Sequence, residues 1–167
     1  LMAPAFMTMM FGMVLEGLPA FRRMAGGMAY IEGWGLYCER LPKEIGLYQD
    51  PYSDFGRIAM ELWRAVRLVV DTGIHAKHWT RRQAIDYFVA NTPQSEAECT
   101  REIERYIVTP SQATAYKIGM LKLLELRERA KRELGARVVY REGPEFVLKD
   151  GSLPLNILEE NVLAWIA

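Results

Sequence analysis

Glu32-Gly33-Trp34-Gly35-Leu36-Tyr37-Cys38-Glu39-Arg40-Leu41 is the stretch on which the reading of this chain turns. Wound as a helix, it places Trp34, Tyr37 and Leu41 on one stripe at i, i+3 and i+7, and Glu32, Leu36 and Glu39 on another. One helix would then carry an aromatic packing face beside a face with two carboxylates. Gly33 and Gly35 each cost roughly 1 kcal/mol against Ala in a helix, so they predict a neighbouring backbone or a ligand pressed against this turn. The plainer alternative is a tightly packed core helix whose glutamates meet solvent or arginines.

Working outward, this helix is expected from Met24 to Glu44, with Gly46 closing it. Upstream, the uncharged opening from Leu1 to Leu15 holds five of the nine methionines; Pro4 opens a helix within it to about Leu15, and Gly17-Leu18-Pro19 breaks it. That segment is too short for an ordinary membrane span and lacks the basic start of a signal peptide. Its apolarity predicts packing on the chain's own core, on a missing part of a longer protein, or on a second copy, so a homo-oligomer through this Met-rich end is expected.

Downstream, Asp50-Pro51-Tyr52-Ser53-Asp54 is turn chemistry, with Ser53 or Asp54 as N-cap of a long third helix. Its buried stripe is Ile58, Leu62, Ala65, Val66 and Val69, with Arg57, Glu61 and Arg64 spaced for ion pairs, and Gly73 predicts an end near Thr72. Thr80 caps a fourth helix, Arg81 to Ala90, with Ile85 and Phe88 inward. Ser95 and Glu98 form a capping box for a fifth that runs to about Val108. Pro110 interrupts, and Ser111 caps a sixth from Gln112 to Leu134, with Gly135 as its C-cap glycine. Val138-Val139-Tyr140 is the one run of clear β-propensity. A helical turn or two from Pro144 to Leu148 and an amphipathic helix from Pro154 to Ile166 complete the chain. The prediction is one all-α domain over residues 1–167, a bundle of long, largely antiparallel helices.

Lysine plus arginine equals aspartate plus glutamate, 21 each, so no global charge draws the chain to nucleic acid. The basic run Lys117, Lys122, Arg127, Arg129, Lys131 and Arg132 is interleaved with Glu125, Glu128 and Glu133, which reads as a solvated, salt-bridged face. Cys38 and Cys99 are too far apart for a CxxC knuckle and are expected as buried free thiols.

Both histidines lie in Asp71-Thr72-Gly73-Ile74-His75-Ala76-Lys77-His78. If helical geometry continued through Gly73, Asp71, His75 and His78 would share a face at i, i+4 and i+7, a permissible zinc triad; more modestly, Asp71 would orient the His75 imidazole. The alternative is a pair of loop histidines near a helix end. Tyr116 lies on the face of Gln112 and Gly119, where its hydroxyl could donate to a developing oxyanion or simply meet a backbone carbonyl. No Gly-rich phosphate loop, G-x-S-x-G elbow or H-E-x-x-H occurs.

Five segments occur in an order that resembles a known family: Glu16-Gly17-Leu18-Pro19-Ala20-Phe21-Arg22-Arg23; Tyr30-Ile31-Glu32-Gly33-Trp34-Gly35-Leu36-Tyr37; Arg67-Leu68-Val69-Val70-Asp71-Thr72-Gly73-Ile74-His75; Arg105-Tyr106 with Tyr116-Lys117-Ile118-Gly119; and Gly151-Ser152-Leu153-Pro154-Leu155. Together they resemble the C-terminal part of the bacterial domain-of-unknown-function family 885, whose longer helical members look like distant relatives of the gluzincin zinc peptidases. The resemblance implies zinc, a peptide-like substrate and a bacterial cytoplasmic or periplasmic setting. It matches Glu32 to the third metal-ligand position, His75, Tyr106 and Tyr116 to substrate-facing positions, and Arg105 to a carboxylate or backbone anchor.

The family's metal motif, His-Glu-x-x-Pro-Gly-His, precedes the E-G-L-P segment. Counted back from Glu16, its second histidine falls on Ala5 and its His-Glu pair before Leu1, while Gly143-Pro144-Glu145 stands where the family usually has Phe-His-Asp. The expectation is therefore a truncated or degenerate member, without both imidazole ligands and the general base, and inactive as given.

Overall fold

In the computed structural model, which describes residues 17–24 and 26–167, every regular element among those residues is an α-helix. They are α1 (Ala20–Met24), α2 (Met28–Glu44), α3 (Pro51–Lys77), α4 (Arg81–Asn91), α5 (Glu96–Val108), α6 (Gln112–Leu134), α7 (Ala136–Leu148) and α8 (Leu155–Ile166). The helix expected over 4–15, and the self-association assigned to it, lie outside the described residues. None of the described helices is long and apolar enough to cross a membrane. The chain divides into two compact units: the described residues up to Cys38 with Ile118–Ala167, and Glu39–Lys117.

In the first unit, the glycine cost at position 33 has its reason. A Cβ on Gly33 would lie 2.4 Å from Gly119 Cα, and one on Gly119 would lie 1.8 Å from the Ala29 carbonyl oxygen, so α2 and α6 cross with their backbones in contact. The helix expected from Met24 starts instead at Met28, because Gly27 donates its N–H to Ser152 Oγ at 2.7 Å and passes so close to Leu153 that only glycine fits. Tyr30, fully buried, donates its hydroxyl to the Val147 carbonyl at 2.6 Å.

The expected β-run at Val138-Val139-Tyr140 is helical, and one helix runs through Pro144 to Leu148. Strand propensity is mostly a preference for packing on a half-buried surface. Here α7 satisfies it as a helix: Val139 is buried, the Tyr140 hydroxyl accepts from Arg127 Nη2 at 2.8 Å, and Phe146 stacks on Trp165 of α8 at 4.7 Å. Arg127 also donates to the Tyr37 hydroxyl at 3.2 Å.

In the second unit, α3, α4 and α5 enclose a core of Val66, Val70, Ile85, Phe88, Ile103 and Tyr106, with Cys99 fully buried among them and no disulfide. Thr80 caps α4 and Ser95 forms the capping box with Glu98, both as expected, and the structure adds a second box between Thr80 and Gln83. Helix α3 differs from expectation in four ways. Its N-cap is Asp50, which accepts the Ser53 N–H at 2.8 Å, so Ser53 and Asp54 lie inside the first turn. It passes through Gly73 to Lys77 and ends where His78 turns left-handed at φ 56°, because Gly73 is used to seat the Trp79 ring, which a Cβ would meet at 2.5 Å.

The buried face of α3 is Val66, Arg67, Val70, Asp71 and Gly73, whereas Ile58, Leu62 and Val69 are 50%, 42% and 37% exposed. Of the expected ion pairs, Arg57 meets Glu61 at 3.1 Å, but Arg64 turns its guanidinium over Trp63 and Tyr116. Ser111 also departs from its expected cap role. Its hydroxyl donates to the Pro110 carbonyl, while its N–H, held at φ 64°, donates to both oxygens of Asp71 at 3.1 Å.

Candidate functional site

The second unit gathers the chemistry around one carboxylate. Glu102, Arg105 and Tyr106 follow at i, i+3 and i+4 on α5 and so share a face, and α3 brings Arg67 against it. Glu102 Oε2 accepts from Arg67 Nη2 at 2.8 Å, Arg105 Nη2 at 2.9 Å and the Tyr106 hydroxyl at 2.5 Å. Burial disfavours the Glu102 charge, but the hydrogen bonds from Arg105 and Tyr106 and the two guanidinium charges outweigh it and hold the pKa down to about 2. Burial pushes the Tyr106 hydroxyl well above its ordinary pKa despite the opposing Arg67 charge, so it stays a proton donor to Glu102.

From Arg105 the network reaches α6: Nη1 donates to Gln112 Oε1 at 3.1 Å, and Gln112 Nε2 donates to the Tyr116 hydroxyl at 3.2 Å. Arg67 lies over the rings of Trp63, Tyr106 and Tyr116 at 5.2, 5.7 and 5.1 Å. Cation–π contacts of this kind strengthen where water is excluded.

Four residues singled out from the sequence thus meet here. Arg105, Tyr106 and Tyr116 belong to the network, and His75 joins at its edge, its ring exposed and its Nε2–H donating to the Tyr106 carbonyl at 2.9 Å. Tyr106 itself is fully buried, so it acts by holding Glu102. Arg67 and Glu102 had no role assigned from sequence, and Arg64 was expected only as an ion-pair partner on α3. The i, i+3, i+4 spacing of Glu102 with Arg105 and Tyr106 was the signal available for one of them, and nothing local marks the others.

The zinc that the resemblance implies does not fit the donors described. Both Asp71 oxygens take the Ser111 N–H, His75 Nε2 is committed to a carbonyl, and His78 lies beyond the end of α3 and is exposed. Burial raises the Asp71 pKa above the ordinary carboxylate value, opposed by that N–H and by His75. Glu32 sits partly buried on α2 in the first unit. Among the described residues no three His, Cys, Asp or Glu side chains come together in a way that could hold a metal ion.

Residues 8–162 match the family described as bacterial protein of unknown function, DUF885, and the chain belongs to that family. A protein from Colwellia psychrerythraea, described as a "putative lipoprotein" in its crystal structure, superposes on it with a TM-score of 0.91 at 47% sequence identity over 95% of this chain. The present chain spans 27% of that one. No curated protein matches it.

Proposed function

We propose that this chain supplies the substrate-holding part of a zinc-peptidase-like domain, contributes the metal's third ligand through Glu32, and does not hydrolyse peptides as given. One observation carries the reading: Arg105, Tyr106, Tyr116 and His75, from segments up to 41 residues apart in sequence (75 to 116), meet around Glu102 in a single network. A cluster of guanidiniums and hydroxyls with one low-pKa carboxylate binds and orients a polar substrate. Hydrolysis needs in addition a general base and an activated water, which a zinc centre with an adjacent glutamate would provide. The only histidines in the sequence are His75 and His78.

A second reading is favoured by the 27% share of the Colwellia protein that this chain spans. In it, the domain hydrolyses peptide bonds when a longer polypeptide brings the His-Glu-x-x-Pro-Gly-His segment. Both readings meet the same test. The isolated chain, incubated with zinc and internally quenched peptides, is expected to show no turnover above zinc alone, and zinc-dependent turnover abolished by Glu32→Gln would overturn the first reading. In a family member that carries the metal motif, changing the glutamate matched to Glu32 is expected to lose bound zinc, and retention of metal and activity would sink the ligand assignment.

A further inference from the structure

Arg64 and Arg67 lie one turn apart on α3, and both guanidiniums sit over the same two rings: Trp63 at 5.8 and 5.2 Å, Tyr116 at 5.4 and 5.1 Å. A guanidinium carries five N–H donors, and an unmet donor on a charged group is among the costlier things to bury. Arg67 is only 7% exposed and gives Nη2 to Glu102, yet its Nε–H is buried with no hydrogen-bond partner. The Nε–H of Arg64 is in the same position. Among the described residues Arg64 forms no ion pair, and its Nη1 reaches only the soft acceptor Met60 Sδ, at 3.8 Å.

Two carboxylates act on these guanidiniums, and among the described residues neither is hydrogen-bonded to Arg64. Glu102 takes Arg67, Arg105 and Tyr106 on one oxygen, and Glu39 acts on Arg64 through its charge without a hydrogen bond. Burial and the Arg67 charge hold the Arg64 pKa below its ordinary value, as expected of two like charges facing each other with too little between them. Three guanidiniums with one hydrogen-bonded carboxylate therefore leave a surplus of donors, and the rings of Trp63 and Tyr116 beside them offer apolar surface.

We infer that Arg64 and Arg67 form the receptor for the terminal carboxylate of a peptide-like ligand, its last side chain lying against Trp63 and Tyr116. A carboxylate matches the planar fork of a guanidinium through two parallel N–H···O bonds, and it would bring the hydrogen-bonding oxygens that Arg64 lacks among the described residues. The inference rests on the peptide-binding reading above and narrows it to ligands with a free C-terminus.

Calorimetric titration of the whole chain with N-acetyl-Ala-Tyr, with the same dipeptide as its C-terminal amide, and with inorganic phosphate tests it. The free acid is expected to bind at least tenfold more tightly than the amide and than phosphate. Arg64→Gln is expected to weaken the acid at least tenfold, and Arg64→Lys to restore only part of the loss, since it returns the charge without the fork. Equal binding of acid and amide, or an Arg64→Gln affinity unchanged from the parent, overturns the inference. Phosphate binding as tightly as the acid also overturns it, by making this a general anion site. Should Arg64→Gln fail to fold, the ratio of acid to amide on the unaltered chain decides alone. No binding of any probe refutes the carboxylate receptor and leaves the Glu32 zinc test untouched.

Discussion

Where α2 crosses α6 in the first unit, the contact is glycine on glycine, and a single added methyl at Gly119 would come 1.8 Å from a carbonyl oxygen. At the corresponding depth of the second unit stands Arg67, paired with Glu102 and roofed by aromatic rings. The first interior is sensitive to volume, because two backbones already touch and have nowhere to go. The second is sensitive to charge, because removing one partner strands the others in a poor solvent for ions. The two failures leave different signatures.

The largest expected effect is in the charged interior. Glu102→Gln, nearly equal in size, should destabilise the protein by about 3–5 kcal/mol in urea unfolding at neutral pH, since Arg67 and Arg105 lose their counter-charge. The acid limb gives the sign. Because the folded pKa, about 2, lies below the ordinary 4.5, the Glu102 contribution is complete above about pH 4.5 and is lost as the pH falls toward 2. The gap between parent and variant should therefore close over that window, and a gap as wide at pH 2 as at pH 7 would show that Glu102 acts by packing.

Next comes Gly119→Ala, which should cost about 3 kcal/mol by overpacking and show no such pH dependence. The smallest effect sharpens the contrast. Gly56, exposed on α3 with nothing within 4 Å of its would-be Cβ, should gain about 0.5–1 kcal/mol on change to Ala, read as a raised thermal midpoint. If Gly56→Ala and Gly119→Ala had the same sign, the close crossing would not be what Gly119 is for.

What could be read from the chain followed the range of the interactions. The cap at Thr80 and the capping box at Ser95 close within four residues, and the all-α pattern needs only local periodicity, so these were visible. Gly33 announced a close neighbour through its own helix cost, though not that the neighbour was Gly119, 86 residues on (33 to 119). The end of α3 was misplaced because Gly73 serves a ring six residues later rather than a stop. The apolar stripe on α3 was misplaced because periodicity counts hydrophobic residues, whereas the buried face here includes Arg67 and Asp71, each bonded to a residue 35 or more positions away.

The candidate site divides in the same way. Spacing alone singled out His75, beside Asp71 and His78, and Tyr116, on the face of Gln112, whereas Arg105 and Tyr106 were named only through ordered segments that resemble a family. Composition or spacing alone would not have told that Tyr106 turns its hydroxyl to Glu102, or that Arg64 leaves the Glu61 ladder for two aromatic rings.

Cys99 adds a practical consequence. Its sulfur is sealed in the second unit, 4.0 Å from Thr92 Oγ1, and burial holds the thiol pKa up, so a maleimide reaches the reactive thiolate only during excursions that part α4 from α5. Cys38, only partly covered, can be tagged without such an excursion. The lag between the two labels is thus a stopwatch for the breathing of the Glu102 neighbourhood, supplied by the natural sequence without a reporter having to be introduced.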